Sequence, residues 1–153
     1  MSQDFFIRIA ADGLMIPIIL IGAYALVFKV PKGQRLQAYS RALVAGLTAY
    51  LIAKLIGSIY QQSGLRPFEL AGTSAKASFL NNPGFPSDHI LFATVILCAV
   101  WFETKQKTIS WILAALIIIV GIGRVLALVH TPLDVIGGVL IALIGSLWYL
   151  NSK

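Results

Sequence analysis

The sequence contains two histidines, and each lies beside residues that can take part in catalysis. His130 follows Arg124 by six residues and precedes Asp134 by four residues. Across a helix start, a carboxylate at that spacing can hold an imidazole in one tautomer, as the aspartate of a serine-protease triad does. The other histidine ends the segment Pro86-Ser87-Asp88-His89. Two histidines offer more than a binding site needs, because one can be a nucleophile and the other a general acid.

Three cations accompany the histidines and indicate the kind of substrate. Lys54, Arg66 and Arg124 together suit an anion of several charges, such as a phosphate or a diphosphate. The planar fork of arginine matches phosphate oxygens, and lysine acts as a point charge. Pro86 and Ser87 precede an apolar run, so they predict a helix whose N-terminal N–H groups are free to bind phosphate. The pattern as a whole predicts a site for phosphate chemistry.

The composition indicates which elements must position these residues. Hydrophobic residues make up 58% of the 153 residues and charged residues 12%, about half of the ~25% that is usual in a soluble domain. The mean hydropathy is +0.86. A soluble fold of this size buries only about two-thirds of the surface that its chain can expose. These values exclude a soluble enzyme and a disordered chain, and they predict one integral-membrane domain over residues 1–153.

Five apolar segments approach the roughly 17–25 residues that a membrane-spanning helix needs. They are Phe5 to Phe28, Ala42 to Tyr60, Ser87 to Phe102, Ser110 to Val129 and Pro132 to Leu150. Arg8 and Asp12 interrupt the first segment, whose uninterrupted part is Leu14–Phe28 with an expected kink at Pro17. The predicted fold class is an all-α membrane protein, a bundle of about five transmembrane helices.

The loops between the predicted spans carry their basic residues unequally. If the helices alternate in direction, seven basic residues lie on one side: Lys29, Lys32, Arg35, Arg41, Lys105, Lys107 and Lys153. Apart from the three cations assigned to the site, the other side holds two, Arg8 and Lys76. The positive-inside rule then predicts a multi-pass cell-membrane protein with a cytoplasmic C-terminus and an extracytoplasmic loop Gln61–Pro86. The basic charge fits this topology, so no nucleic-acid partner is expected.

The same topology places the candidate site at the outer end of the bundle. Charged side chains within spans are costly, and they usually face the bundle interior or a functional site. Four predicted spans and the outer loop contribute: Lys54 before the end of the second span, Arg66 in the loop, Ser87, Asp88 and His89 at the start of the third, Arg124 near the end of the fourth, and His130 and Asp134 at the turn into the fifth. Such convergence predicts a polar site within a membrane bundle.

These motifs resemble the three-part signature of the type 2 phosphatidic acid phosphatase (PAP2) superfamily. The three blocks are Arg66-Pro67 with a lysine upstream, Pro86-Ser87-Asp88-His89, and Arg124-x5-His130-x3-Asp134. Phe85 before the second block and Leu133-Asp134-Val135-Ile136-Gly137-Gly138 in the third are similar to the undecaprenyl-diphosphatase branch. The resemblance covers roughly Lys54–Gly138, and it implies a PAP2-like core and a lipid phosphatase.

The resemblance also implies a role for each matching residue. His130 corresponds to the nucleophile, His89 to the acid, and Asp134 to the residue that orients the nucleophile. The phosphate-binding positions correspond to Lys54, Arg66, Ser87 and Arg124, with Asp88 inside the second block. The implied reaction is hydrolysis of undecaprenyl diphosphate to undecaprenyl phosphate and phosphate through a phosphohistidine, which recycles a carrier of cell-wall precursors.

The chain departs from the family pattern at several positions. Lys54 precedes Arg66 by twelve residues, where the family has seven. Asp88 replaces a glycine, and we expect its carboxylate to bridge to Arg66 or Arg124 or to interact with the helix N-terminus. Gly123 replaces a serine, which removes one hydroxyl from the site. The family core commonly has six spans, so one early helix is missing.

Other interpretations of the same residues remain open. Taken alone, Arg124 is a snorkelling residue, and Thr131-Pro132-Leu133-Asp134 is an ordinary helix start. The lipid can be phosphatidylglycerophosphate or phosphatidic acid, and a non-catalytic binder or transporter of lipid phosphates uses the same cations. The partners expected are a polyprenyl or glycerolipid phosphate and the bilayer. Neither a cofactor nor a metal is expected, because two separate histidines without thiolates lack the spacing of a zinc site.

Overall fold

The computed structural model describes residues 3–60, 65–80, 82 and 84–150, and the regular secondary structure within them is helical. The α-helices are α1 (Gln3–Arg8), α2 (Met15–Lys29), α3 (Arg35–Ile59), α4 (Pro67–Leu70), α5 (Asp88–Thr104), α6 (Lys107–Leu126) and α7 (Pro132–Gly145). A π-helical turn at Ile9–Gly13 joins α1 to α2. Single 3-10 turns lie at Lys32–Gln34 and Ser146–Tyr149. The prediction of an all-α architecture is confirmed.

Four helical stretches within the described residues are long and apolar enough to cross a membrane. They are Gln3–Lys29, Lys32–Ile59, Lys107–Leu126 and Pro132–Tyr149. The remaining predicted span is α5, whose 17 residues extend about 25 Å, somewhat less than the ~30 Å hydrocarbon core. This helix packs against α2, α3, α6 and α7. The bundle is therefore built around α5, which contacts each of the four longer helical stretches.

The outer surface of the bundle is apolar. Large hydrophobic side chains are exposed on each of the four long stretches, for example Leu20, Leu51, Ile118 and Leu140. A soluble monomer rarely exposes so much contiguous apolar surface. The exposed side chains fit a lipid environment, and the chain is a multi-pass membrane protein.

Small residues allow the helices to approach closely where α7 crosses α3. A Cβ atom added at Gly145 would lie 2.5 Å from the carbonyl oxygen of Ala45 and 2.9 Å from the Cβ atom of Ala49. Such contacts hold membrane helices together, because lipid tails offer no hydrophobic drive for association. The close crossing fixes α7, whose first turn carries Asp134.

The irregularity of the first span lies before Pro17 and not at it. Pro17 is the third residue of α2, and the widened turn precedes it at Ile9–Gly13, where the N–H of Leu14 donates to the carbonyl of Ile9 at 3.0 Å. Proline has no N–H and its ring crowds the carbonyl four residues earlier, here that of Gly13. Widened turns of this kind are frequent at functional sites, and this one carries Asp12.

Candidate active site

The candidate site is a cleft of about 400 Å³ at the end of the bundle where α5 begins. Its polar lining comes from the loop before α5, the first turn of α5, the end of α6 and the turn that follows: Arg66, Asn82, Asp88, His89, Arg124 and His130. Its apolar lining includes Met15, Ile19 and Phe92. The structure thus brings together residues from all three blocks of the sequence pattern, beside an apolar surface.

The start of α7 fixes the pair of His130 and Asp134. Thr131 caps the helix: its hydroxyl accepts from the N–H of Asp134 at 3.2 Å, and its own N–H donates to Oδ2 of Asp134 at 2.7 Å. Pro132 occupies the first helical position. The same Oδ2 lies 3.5 Å from Nδ1 of His130. The ordinary helix cap and the orienting carboxylate are therefore one arrangement, which leaves Nε2 as the nitrogen available to the cleft.

The surroundings of His130 favour the neutral imidazole. Burial lowers the pKa of His130, and the positive charges of Arg124 and Arg66 lower it further, while its interaction with Asp134 raises it. The side chains of His130 and Asp134 are both almost completely buried. A neutral imidazole retains the lone pair that a nucleophile needs.

Arg124 is buried and does not snorkel. The residue is only 1% exposed, and its Nη1 donates to Oδ1 of Asp12 at 2.7 Å. Its Nε has no hydrogen-bond partner among the described residues. A buried cation is costly unless it is paired, so Asp12 stabilises Arg124 in the lining of the cleft.

Asp12 is a site residue that the motif analysis missed. Besides Arg124, its Oδ1 lies 3.7 Å from Nε2 of His89, and its Oδ2 accepts from the N–H of Ser78 at 2.8 Å. The signal for it was present in the sequence, because a carboxylate inside an apolar segment usually faces the bundle interior. The sequence does not tell which partner the carboxylate meets there.

Arg66 lines the cleft and also holds the loop that precedes α5. Its Nη1 donates to the carbonyl of Val129 at 2.7 Å, and its Nη2 donates to the carbonyl of Leu80 at 2.7 Å and to Oδ1 of Asn82 at 2.8 Å. Burial lowers the pKa of Arg66, and the carboxylate of Asp134 opposes that effect. Arg66 therefore links the loop to the turn that carries His130.

The start of α5 differs in one detail from the expected phosphate cradle. The N–H of Ser87 is not free, because it donates to the carbonyl of Asp134 at 3.0 Å. Ser87 is the N-cap residue, and the helix begins at Asp88. The N–H groups that a helix start leaves without helical partners are thus those of the residues after Ser87. The hydroxyl of Ser87 is completely buried and has no hydrogen-bond partner among the described residues.

The expected bridge from Asp88 to an arginine is wrong. Oδ1 of Asp88 lies 3.2 Å from Nζ of Lys54, and its Oδ2 accepts from Nδ2 of Asn82 at 3.2 Å. The reason is that both arginines already have acceptors, Asp12 for Arg124 and loop oxygens for Arg66. Lys54 is half-exposed and lies in an adjoining groove, at the margin of the cleft.

Comparison with known proteins identifies the family of the chain. The model of the PAP2 superfamily matches residues 38–153. The bacitracin transport permease protein BcrC of Bacillus licheniformis is 32% identical over 109 residues, which are 70% of this chain and 51% of that protein, so the match spans about half of its length. No solved structure matches the chain significantly. With three quarters of its residues matched by the family model and both histidines at their expected places in the cleft, the chain belongs to the PAP2 superfamily.

Proposed function

We propose that this protein is a membrane lipid phosphatase that hydrolyses undecaprenyl diphosphate to undecaprenyl phosphate and phosphate. The observation that carries the proposal is the convergence of His130, His89 and Arg124 on one cleft that also has an apolar lining. A diphosphate headgroup needs the cations and a hydrocarbon chain needs the apolar surface. Asp134, behind His130, adds the orientation that binding alone does not require.

In the first step, Nε2 of His130 attacks the terminal phosphorus of the substrate. The new N–P bond forms as the P–O bond to the lipid phosphate breaks, and His89 donates a proton to the leaving oxygen. Asp134 stabilises the positive charge that develops on the imidazole of His130. The products of this step are the lipid monophosphate and a phosphohistidine.

In the second step, His89 takes a proton from water as the water oxygen attacks the phosphohistidine. The N–P bond breaks, inorganic phosphate leaves, and His130 is again neutral. Arg124, Arg66 and the free N–H groups at the start of α5 stabilise the charge on the phosphoryl oxygens during both steps. The family pattern adds a hydrogen bond from the hydroxyl of Ser87, which lies next to the cleft-lining Asp88 and is buried without a partner among the described residues, and Lys54 contributes from the margin of the cleft.

A second groove supports a lipid substrate with a long chain. A cavity of about 530 Å³ runs along α3 and α5, and its lining includes Leu43, Leu47 and Val95. It shares Leu80, Asp88 and Phe92 with the catalytic cleft. An isoprenoid chain can therefore lie against apolar side chains while its headgroup reaches the histidines.

The distribution of basic residues supports an extracytoplasmic site. Lys153, one of the seven basic residues on the proposed cytoplasmic side, lies outside the described residues. The loop Gln61–Pro86 on the opposite side is described at 65–80, 82 and 84–86.

The orientation can be tested in intact cells. A cysteine introduced at Ser74, with Cys98 replaced, should react with an impermeant thiol reagent. Labelling only after lysis would place the reaction in the cytoplasm.

Phosphate release by the purified protein tests the proposal. Undecaprenyl diphosphate, phosphatidylglycerophosphate and phosphatidic acid are compared in detergent with a chelator present, and His130→Ala serves as the control. We expect the fastest release from undecaprenyl diphosphate and none from the variant. Faster phosphate release from phosphatidylglycerophosphate or phosphatidic acid would show that the substrate is a glycerolipid phosphate instead. Binding without release would favour transport, the activity for which the Bacillus relative is named.

A further inference from the structure

The backbone of the π-helical turn packs directly against Gly123 of α6. A Cβ atom added at Gly123 would lie 2.7 Å from the nitrogen of Ala11 and 2.8 Å from the carbonyl carbon of Ala10. Both neighbours are backbone atoms, so no rotation of a side chain can make room. Gly123 stands where the family pattern has a serine, and the π-helical turn occupies the space of that side chain.

This close contact places the next residue, Asp12, against two residues that line the cleft, Arg124 and His89. Asp12 lies beside Arg124, the neighbour of Gly123, and the two form the 2.7 Å ion pair. The N–H of Ser78 holds the other carboxylate oxygen. Since the loop and Arg124 both hold it, the carboxylate is fixed within 3.7 Å of Nε2 of His89. The family model begins at residue 38, so Asp12 lies upstream of the matched region.

A carboxylate in this position opposes anion binding. Two like charges a few ångströms apart repel each other strongly in a partly dry site. The same carboxylate holds Arg124 in place, and the unpartnered Nε of Arg124 remains a donor for a phosphoryl oxygen. It also faces His89, whose charged surroundings include Asp88 on its own helix, Arg124 on α6 and His130 on the following turn. Asp12 therefore lowers the affinity for the substrate anion and at the same time keeps Arg124 and His89 aligned.

We propose that Asp12 is a positioning residue for the phosphatase reaction, and that Gly123 replaces serine because the turn carrying Asp12 fills the space of a side chain. This inference rests on the proposed function. It assigns a role in the reaction to the first helical stretch, upstream of the family signature.

The substitution Asp12→Asn tests the charge of this residue without changing its size. We expect kcat to fall at least about tenfold as Arg124 and His89 lose alignment. Binding of orthovanadate, measured directly, should become several-fold tighter because a competing anion has gone. A purely structural defect would not tighten anion binding. Asp4→Asn is the matched control, since Asp4 lies on the same stretch but pairs with Lys76, and it should behave as wild type.

The substitution Gly123→Ser tests the same contact from the other side. Its side chain must displace the π-helical turn, so kcat should fall about as far as in Asp12→Asn, and the double variant should be no worse than the more severe single variant. Gly13→Ala is the control, because a Cβ at Gly13 would meet only the side chain of Ile9 at 3.6 Å. Wild-type activity in Gly123→Ser, or multiplied effects in the double variant, would overturn the inference.

The two readouts separate this inference from the proposed function. If wild type releases no phosphate from any lipid, the proposed function fails, and tighter vanadate binding by Asp12→Asn still supports the place of Asp12 beside the anion. If wild type is active and Asp12→Asn matches it in both kcat and vanadate affinity, the inference fails and the proposed function stands.

Discussion

Each end of the bundle has an arginine paired with a carboxylate of another segment, and the two pairs differ: the side chain of Arg41 is 22% exposed, whereas Arg124 is fully buried. At the end of the bundle where α5 terminates, Nε and Nη2 of Arg41 donate to the two oxygens of Glu103, both at 2.7 Å. This fork-to-fork pair links α3 to α5. At the end where α5 begins, Arg124 donates one N–H to Asp12, and its Nε has no hydrogen-bond partner among the described residues.

Unmatched polar groups accumulate around Arg124. Among the described residues, Oγ of Ser87 and Oδ1 of Asp134 are also buried without a hydrogen-bond partner, and Nδ1 of His130 has only its 3.5 Å contact with Oδ2 of Asp134. Native proteins leave few such groups, and those that remain call for an explanation. An arginine that makes two hydrogen bonds to one carboxylate, as Arg41 does, connects two helices of this bundle. An arginine beside the cleft that retains an N–H without a partner among the described residues, as Arg124 does, can bind an anionic substrate.

Replacing each arginine by lysine should show the difference between the two ends most clearly. Arg124→Lys should lower turnover at least about 100-fold, because a point charge cannot replace the fork. Arg41→Lys should keep turnover within about twofold of wild type while lowering the free energy of unfolding by about 1–3 kcal/mol, through the loss of one charged hydrogen bond. Phosphate release and thermal unfolding in detergent measure both effects. The reverse pattern would make Arg124 structural.

A smaller effect on turnover is expected at the pair of Lys54 and Asp88, which lies at the margin of the cleft. Because Asp88 contacts Lys54 and Asn82, Asp88→Asn should lower turnover by roughly three- to tenfold, and Lys54→Met should have a similar effect. The double variant should be no slower than the slower single variant. A loss from Asp88→Asn as large as that from Arg124→Lys would show that Asp88 acts on an arginine after all.

The smallest expected effect is a shift of the acid limb in the pH profile of kcat/KM, and it reports on His130 specifically. The lowered pKa of His130 keeps the imidazole neutral at pH values where an exposed histidine is already protonated. Activity should therefore persist as the pH falls below 6.5, the ordinary value, and be lost only below that lowered pKa. Since Asp134 raises the pKa of His130, Asp134→Asn should move the acid limb to still lower pH. A shift to higher pH would contradict the assignment.

Several parts of this arrangement follow from the sequence because they depend on local patterns. Composition alone indicates a membrane bundle, since no soluble fold of this length hides so much apolar surface. Thr131, Pro132 and Asp134 predict the start of α7, because capping depends on residues within one turn. The spacing from Arg124 to His130 and Asp134 follows for the same reason.

Other parts depend on contacts between distant segments. The ion pair of Asp12 and Arg124 joins residues 112 positions apart, and no local pattern specifies the helix against which a buried carboxylate packs. The prediction for Asp88 is wrong because both arginines are occupied by groups that only the folded chain brings near, Asp12 of the π-helical turn for Arg124 and loop oxygens for Arg66. The widened turn before Pro17 likewise depends on the space that Gly123 leaves.

In the proposed mechanism, His130 forms a covalent bond to phosphorus. Wild-type protein is incubated briefly with undecaprenyl diphosphate labelled in its terminal phosphate, quenched in base and separated by electrophoresis. We predict protein-bound label that is stable in base, is lost in acid, and is absent from His130→Ala, which should keep its thermal unfolding profile. Turnover near that of wild type in His130→Ala, or label that survives acid, would contradict the account.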